Sequence, residues 1–336
     1  MMTEGMTPAM LRSVYNLPST GGSGIIAIVD AYDYPTALND FNVFANNFGL
    51  PVETSTNVTA STNKVFQVVY ASGSKPASNS NWAMEEALDI QIAHAMAPNA
   101  KIILVEAASN SNSNLFSAVT KASQLVTANG GKGEVSMSWG ASEYFYEGLF
   151  YDGDFKTANV VYVASTGDKG GATEYPSTSP YVVAVGGTTI NLNSDGSFSS
   201  ETGWSGSGGG KSAYESRPSF QSGIQSIVGS ARGVPDVSFD GDPASGAYIY
   251  DTTPYNNQTG WWIIGGTSLA APSVAGVINL AGSFYASSTV ELNTIYGGLG
   301  SANFRDILTG TAGSFSCTAG WDFVTGIGSP YGLIGK

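Results

Sequence analysis

One cysteine, one histidine and few charges set this 336-residue chain apart before any motif does. The lone Cys317 excludes an internal disulfide and any cysteine-based metal cluster. Lys and Arg together number 13 against 26 Asp and Glu, so the net charge is -13 and a basic nucleic-acid footprint is excluded. Charged residues make up only 12% of the chain, against roughly a quarter in average soluble proteins. A chain with so few carboxylates gains little repulsion when they are neutralised, which suits it to acid. No run reads as a membrane span, because the longest apolar stretch, 268–286, contains Pro272, Ser273, Asn279 and Ser283 and predicts a buried helix. The start, Met1-Met2-Thr3-Glu4, lacks a basic-then-apolar leader, so no signal peptide is read there. Neither a linker nor a repeat divides the chain, and one domain is expected over 1–336.

What is present is glycine, 43 residues of it, with abundant Ser, Thr, Asn and Tyr, the composition of a turn-rich extracellular protein. Short, nearly continuous apolar runs recur at 25–29, 65–70, 101–105, 135–139, 160–164 and 181–185. Such runs read as strands buried on both faces, the habit of parallel sheets. Helical patterns at 35–48, 82–97 and 113–127 lie between several of them, so the expected class is an α/β sheet with right-handed crossovers. Ligands of such sheets bind beyond the C-terminal strand ends, which makes Asp30, Trp139 and Asp168 site candidates. The segment 191–210 predicts a hairpin and a flexible loop, and 247–250 with 261–264 predict a further pair of strands.

The second of that pair leads into Gly265-Gly266-Thr267-Ser268, a glycine turn at the mouth of an alanine-rich helix. A hydroxyl projecting from a helix N-terminus meets free N–H groups and a dipole that favour negative charge, as a nucleophilic serine requires. The same residues also suit a plain helix cap through Thr267 or Ser268.

Glu85 and Asp89, four apart, share one face of the helix predicted at 82–97, and Trp82, Ile92 and Met96 continue the stripe. The opposite side carries Ala83, Ala87, Ile90 and His94, so the helix is apolar nearly all round and buried. Two desolvated carboxyls at this spacing repel, so at least one retains its proton well above the free-carboxyl range. Asp30, His94 and Ser268 nominally supply a subtilisin-type order of acid, histidine and serine. Yet His94 lies roughly 180° around the helix axis from Glu85 at about 100° per residue, so both cannot face one serine. His94 therefore reads as a satisfied structural histidine, and the carboxylate face supplies the base. A Glu hydrogen-bonded to serine accepts its proton as histidine does, but its lower pKa moves the working range into acid. Asp168, between glycines, is either a turn residue or, when protonated, a donor to the oxyanion.

These residues resemble the sedolisins, or serine-carboxyl peptidases, particularly the kumamolisin-like members. The matching stretches are 7–12 with 15–18, Glu85-Glu86-Ala87-Leu88-Asp89-Ile90, Ser136-Met137-Ser138-Trp139-Gly140, Gly167-Asp168, Pro235-Asp236-Val237-Ser238 and Gly265 through Pro272. The resemblance implies a subtilisin-like single-domain fold and an acid-active endopeptidase of proteins and peptides, secreted into an acidic environment as a monomer. It implies Ser268 as nucleophile, Glu85 as general base, Asp89 as the carboxyl that orients Glu85, and Asp168 as oxyanion donor. Asp30 stands where relatives carry a longer Glu that extends the hydrogen-bond network near Trp139. Asp306-Ile307 with Thr318-Ala319-Gly320-Trp321-Asp322 resembles the family's loop for one structural Ca²⁺, at about 306–322, in which Asp306 and Asp322 give carboxylates and Ile307, Thr318 and Gly320 give carbonyls. The chain begins near the start of a mature enzyme, so a propeptide removed from a precursor is expected. No nucleic-acid or membrane partner is expected. Two other readings stand beside this one: a neutral Asp-His-Ser peptidase using His94, and a non-catalytic, calcium-stabilised extracellular binding protein.

Overall fold

The near-continuous apolar runs become adjacent parallel strands, because a strand buried on both faces has no polar side to offer solvent. The computed structural model describes residues 5–129 and 131–336; Met1–Glu4, where no leader was read, lie outside the described residues. Across the sheet the order is Val237–Asp240, Val183–Leu192, Val160–Ser165, Gly133–Met137, Ile25–Ala31, Lys101–Ala107 and Phe66–Tyr70, all parallel. Phe198–Gly203 folds back antiparallel onto Val183–Leu192. The segment expected as hairpin and loop is therefore partly an added strand of the main sheet.

Helices cover both faces, giving the expected subtilisin-like α/β architecture. Asn112–Asn129 packs on one face, and Ser80–Met96, the carboxyl helix, packs with Thr267–Ala281, the serine helix, on the other. The carboxyl helix starts where the Asn79 side chain accepts the N–H groups of Asn81 and Trp82. Its core side chains are buried all round, from Ala83 to Met96, as its pattern predicts. The serine helix is delivered by a hairpin, Ala247–Tyr255 with Gln258–Ile264, whose turn residues Asn256 and Asn257 take the positive φ that a tight two-residue turn demands. Among the described residues no helix is long and apolar enough to cross a membrane.

Candidate active site

Gly266, the residue before the serine helix, has φ 100°, and a Cβ there would come within 2.9 Å of Asp168 Oδ2. Only glycine meets both conditions. No side chain caps this helix, so the cap reading of Thr267 and Ser268 is corrected. The Thr267 hydroxyl instead donates to Asp168 Oδ1 at 2.8 Å and accepts the Gly167 N–H at 3.0 Å. The Thr267 N–H also donates to Asp168 Oδ1, at 2.8 Å. Asp168 is thus clamped through one oxygen at the helix mouth, and Ser268 is left free for other work.

Pro272 lies inside the helix and has no N–H to return to the carbonyl four residues back, that of Ser268. The Ser138 hydroxyl, just beyond the strand Gly133–Met137, donates to this carbonyl at 3.4 Å. Ser138 also stands beside Asp89 and favours its charged form against the rise that burial imposes. One small side chain thereby sits between the serine helix and the carboxyl helix.

The Ser268 hydroxyl hydrogen-bonds Glu85, whose Oε1 is shut off from solvent. Burial pushes the Glu85 carboxyl up to about 7; the serine hydrogen bond opposes this and the charge of Asp168 adds to it. Asp89 is fully buried, and burial, then the neighbouring Asp30 and Glu85, hold its carboxyl well above the usual range. The four predicted residues Ser268, Glu85, Asp89 and Asp168 are therefore brought together in one place.

Other candidates are not joined to them. His94 is buried on the far side of the carboxyl helix, where one ring nitrogen meets the Pro51 carbonyl at 2.8 Å and the ring lies 4.6 Å from that of Phe41. Burial lowers its pKa to about 4, and Nδ1 has no partner, so the expected satisfied histidine is satisfied at one nitrogen only. The Trp139 indole donates to the Val29 carbonyl at 2.8 Å, not to Asp30. Both Asp30 oxygens are buried without a partner, so no Trp139–Asp30 link extends the network.

Sequence reasoning missed Glu86 and Glu106, both fully buried behind this pair, and the place of Ser138 between the two helices. The signal for Glu106 was available: a carboxyl that ends the apolar run Lys101–Val105. A cleft of about 110 Å³ is lined by Trp82, Asn110, Phe116, Trp139, Tyr144 and Tyr175 among others.

At the C-terminal loop, Asp306 Oδ2 accepts the Gly320 N–H at 2.9 Å and Asp322 Oδ2 accepts the Thr318 N–H at 3.0 Å. Two carboxylates so converge on one turn, whose Gly320 has φ 85°. Burial raises the Asp322 carboxyl, a penalty that a bound cation relieves. With the carbonyls of Ile307, Thr318 and Gly320 the donors are all oxygens, and the residues fit Ca²⁺ in kind. Among the described residues no group of three or more His, Cys, Asp and Glu side chains forms a metal centre, so any ion here relies on main-chain oxygens.

A family model described as the subtilase family matches residues 38–328. Sedolisin of Pseudomonas sp. (strain 101) is 28% identical over 97% of this chain and 60% of its own length. Kumamolisin of Bacillus sp. (strain MN-32) is 32% identical over 74% of this chain and 49% of its own. The solved structure of Pseudomonas sedolisin, a serine-carboxyl proteinase complexed with two molecules of pseudo-iodotyrostatin, matches with a TM-score of 0.80 at 27% identity, covering 98% of this chain and 96% of that one. The chain belongs to the subtilase family, in its sedolisin branch. It spans between 49% and 60% of the length of these two curated relatives.

Proposed function

We propose that this chain is an acid-active serine-carboxyl endopeptidase that hydrolyses proteins and peptides. The observation that carries the reading is the Ser268 hydroxyl on the half-shielded carboxyl of Glu85, with the only histidine engaged elsewhere. Glu85 takes the Ser268 proton as the hydroxyl oxygen attacks the scissile carbonyl carbon, and later returns it to the leaving amine. Asp89 holds the Glu85 carboxyl in line and shares its proton. The oxyanion forms at the mouth of the serine helix, near the Ser268 N–H, one of the first-turn amides that no helical carbonyl serves. Asp168 accepts two hydrogen bonds on Oδ1, so a proton on this carboxyl sits on Oδ2 and is donated to the oxyanion. A carboxyl donates a hydrogen bond only while it carries a proton. Water then cleaves the acyl-enzyme by the same path in reverse roles.

A Ca²⁺ held by Asp306, Ile307, Thr318, Gly320 and Asp322 would stitch the C-terminal loop together without entering the chemistry. Secretion as a monomer, a precursor with a propeptide and an acidic working environment belong to the same reading, supported by the resemblance to sedolisins. The test is hydrolysis of a denatured protein between roughly pH 3 and 5, the acid range this reading expects. Ser268→Ala is expected to reduce turnover by at least about 10⁴-fold, the scale for loss of a nucleophile. Retained turnover in that variant removes the proposal.

A further inference from the structure

Behind Glu85 and Asp89 lies a layer of carboxyls with no cation among them. Asp30 and Glu106 occupy matched positions on neighbouring parallel strands, near their C-terminal ends. Neighbouring strands are about 4.8 Å apart, so the two side chains start side by side. They face the carboxyl helix, because Ile26 and Ile28 before Asp30, and Ile102 and Leu104 before Glu106, pack into the core on that side. The alternate residues Val29 and Val105 pack on the opposite side. From above, the helix sends down Glu86 and Asp89, three residues apart and so on one face. All four side chains have no solvent exposure. Asp30, Glu86 and Asp89 have both oxygens without a hydrogen-bond partner, and Glu106 has one, its other oxygen accepting the Tyr34 N–H at 3.2 Å.

Among the described residues the one counter-charge near the layer is at its rim: Lys75 pairs with Asp33 at 3.3 Å with its side chain 57% exposed, and its pull on Glu106 is outweighed by burial, which raises that carboxyl. The helix Ala37–Phe48 brings Asp40, and the hairpin brings Asp251; both raise Tyr34, as Glu86 does in smaller measure. Tyr70 on the outer strand stands against Glu106. The serine helix carries no ionisable side chain facing the layer, and Arg12 spends itself on the Ala95 carbonyl. Beneath, His94 is turned to Pro51. Anions surrounded by anions and apolar atoms are neutralised by protons or not at all. A protonated carboxyl donates to a neighbouring carboxyl oxygen; two ionised ones only repel.

We propose that Glu86 and Glu106 are positioning residues: protonated, they hold the Glu85–Asp89 pair in place, and their ionisation releases it as the pH rises. Once the catalytic pair carries one charge, every further ionisation in this layer adds a second buried charge beside it. The upper pH limit of activity is then set by this layer as well as by the residues that touch substrate. The catalytic half of this inference rests on the function proposed above; the folding half does not.

Two measurements on the full chain separate them. In a Ser268→Ala background, which needs no turnover, the melting temperature is followed from pH 4 to pH 8. The parent is expected to lose stability steadily with pH. Glu86→Gln with Glu106→Gln, isosteres of the protonated acids, is expected to flatten that loss by about two protons. In the active enzyme the same pair is expected to leave kcat/KM in acid within about threefold and to move the high-pH limb upward by roughly one unit. Should the double variant fold poorly, each single substitution carries half the flattening. Rescue is read by comparing Glu106→Gln with Glu106→Ala: the amide keeps activity in acid, and the alanine loses it. A melting curve with the parent's pH slope, or an unmoved high-pH limb, overturns the proposal. If Ser268→Ala itself retains turnover, the proposed function falls while the melting measurement still decides the role of the layer in folding.

Discussion

Among the regions of this molecule that bury carboxylates completely, two neutralise them in opposite ways. At the other end of the sheet, Arg232 and Asp236 have no exposed side-chain surface, and the guanidinium grips the carboxylate through two nitrogens at 2.7 and 2.6 Å. The Tyr296 hydroxyl and the Ala184 N–H, each at 2.8 Å, complete the shell around Asp236. Behind the candidate active site, Asp30, Glu86, Asp89 and Glu106 are buried as deeply with no cation. A guanidinium stays charged at any ordinary pH, so the first arrangement is permanent. Protons leave as pH rises, so the second is conditional. The permanent device sits in the scaffold and the conditional one beside the reactive serine, which ties the working range of the site to the protonation of its support.

The comparison can be broken at either end. The largest effect is expected at the site: Glu85→Gln keeps shape and removes the base, and kcat should fall by about 10²–10⁴-fold with little change in melting temperature in acid. A variant cleaving at the parent rate would show that Ser268 uses another acceptor. Next is the scaffold pair. Arg232→Leu strands Asp236 in the core, and denaturant titration should register a loss of about 3–5 kcal/mol at neutral pH. Glu86→Gln, at equal depth, should give no such loss, and a comparable loss there would erase the distinction.

The third expectation concerns pH itself. Burial raises Glu106 to about 8 and holds Asp30, Glu86 and Asp89 well above the ordinary carboxyl range. Raised groups keep protons in the fold that the unfolded chain has already released, so the stability they give is complete in acid and is lost as pH climbs. For Glu106 that window runs from about 4 to 8, and each such group contributes a slope of about 1.4 kcal/mol per pH unit. Unfolding titrations at pH 4.5, 6 and 7.5 measure it directly; a stability that rises across the series contradicts the assignment. Calcium comes fourth: chelation should lower the melting temperature, since an ion bound only by the folded loop stabilises it. An unchanged melting point after chelation would leave 306–322 as an ordinary loop.

The smallest effect is expected at His94. Its pKa is lowered to about 4, so between there and about 6.5 the unfolded chain binds a proton that the fold refuses. That stability is present at neutral pH and lost in acid, opposite in sign to the carboxyls. His94→Gln should steepen the decline with pH over this window by about one proton and leave kcat/KM unchanged. A tenfold fall in activity would revive the histidine mechanism.

Much of this was legible before the fold. The serine turn could be read because glycine requirements and helix entry are local, and the pairing of Glu85 with Asp89 because four residues make one helical turn. The parallel sheet could be read from its unbroken apolar runs. Glu86 escapes a reading by faces because adjacent residues point about 100° apart, so the face defined by Glu85 does not include it; the helix is buried on both faces. The resemblance set Trp139 near Asp30, and the indole donates to the Val29 carbonyl.

The sequence by itself determined the parts: one serine at a helix mouth, two carboxyls on one face, a histidine turned away, and too few basic residues to pair the acids. The tertiary structure alone decided which acids meet. Asp30 and Glu106 lie far apart in the chain and become neighbours only through strand register, and Arg232 reaches Asp236 rather than the acids behind the serine. Spacing along a chain fixes what one helix or strand presents; which charges share a buried space depends on how distant strands are ordered, and that ordering is set by packing the whole core.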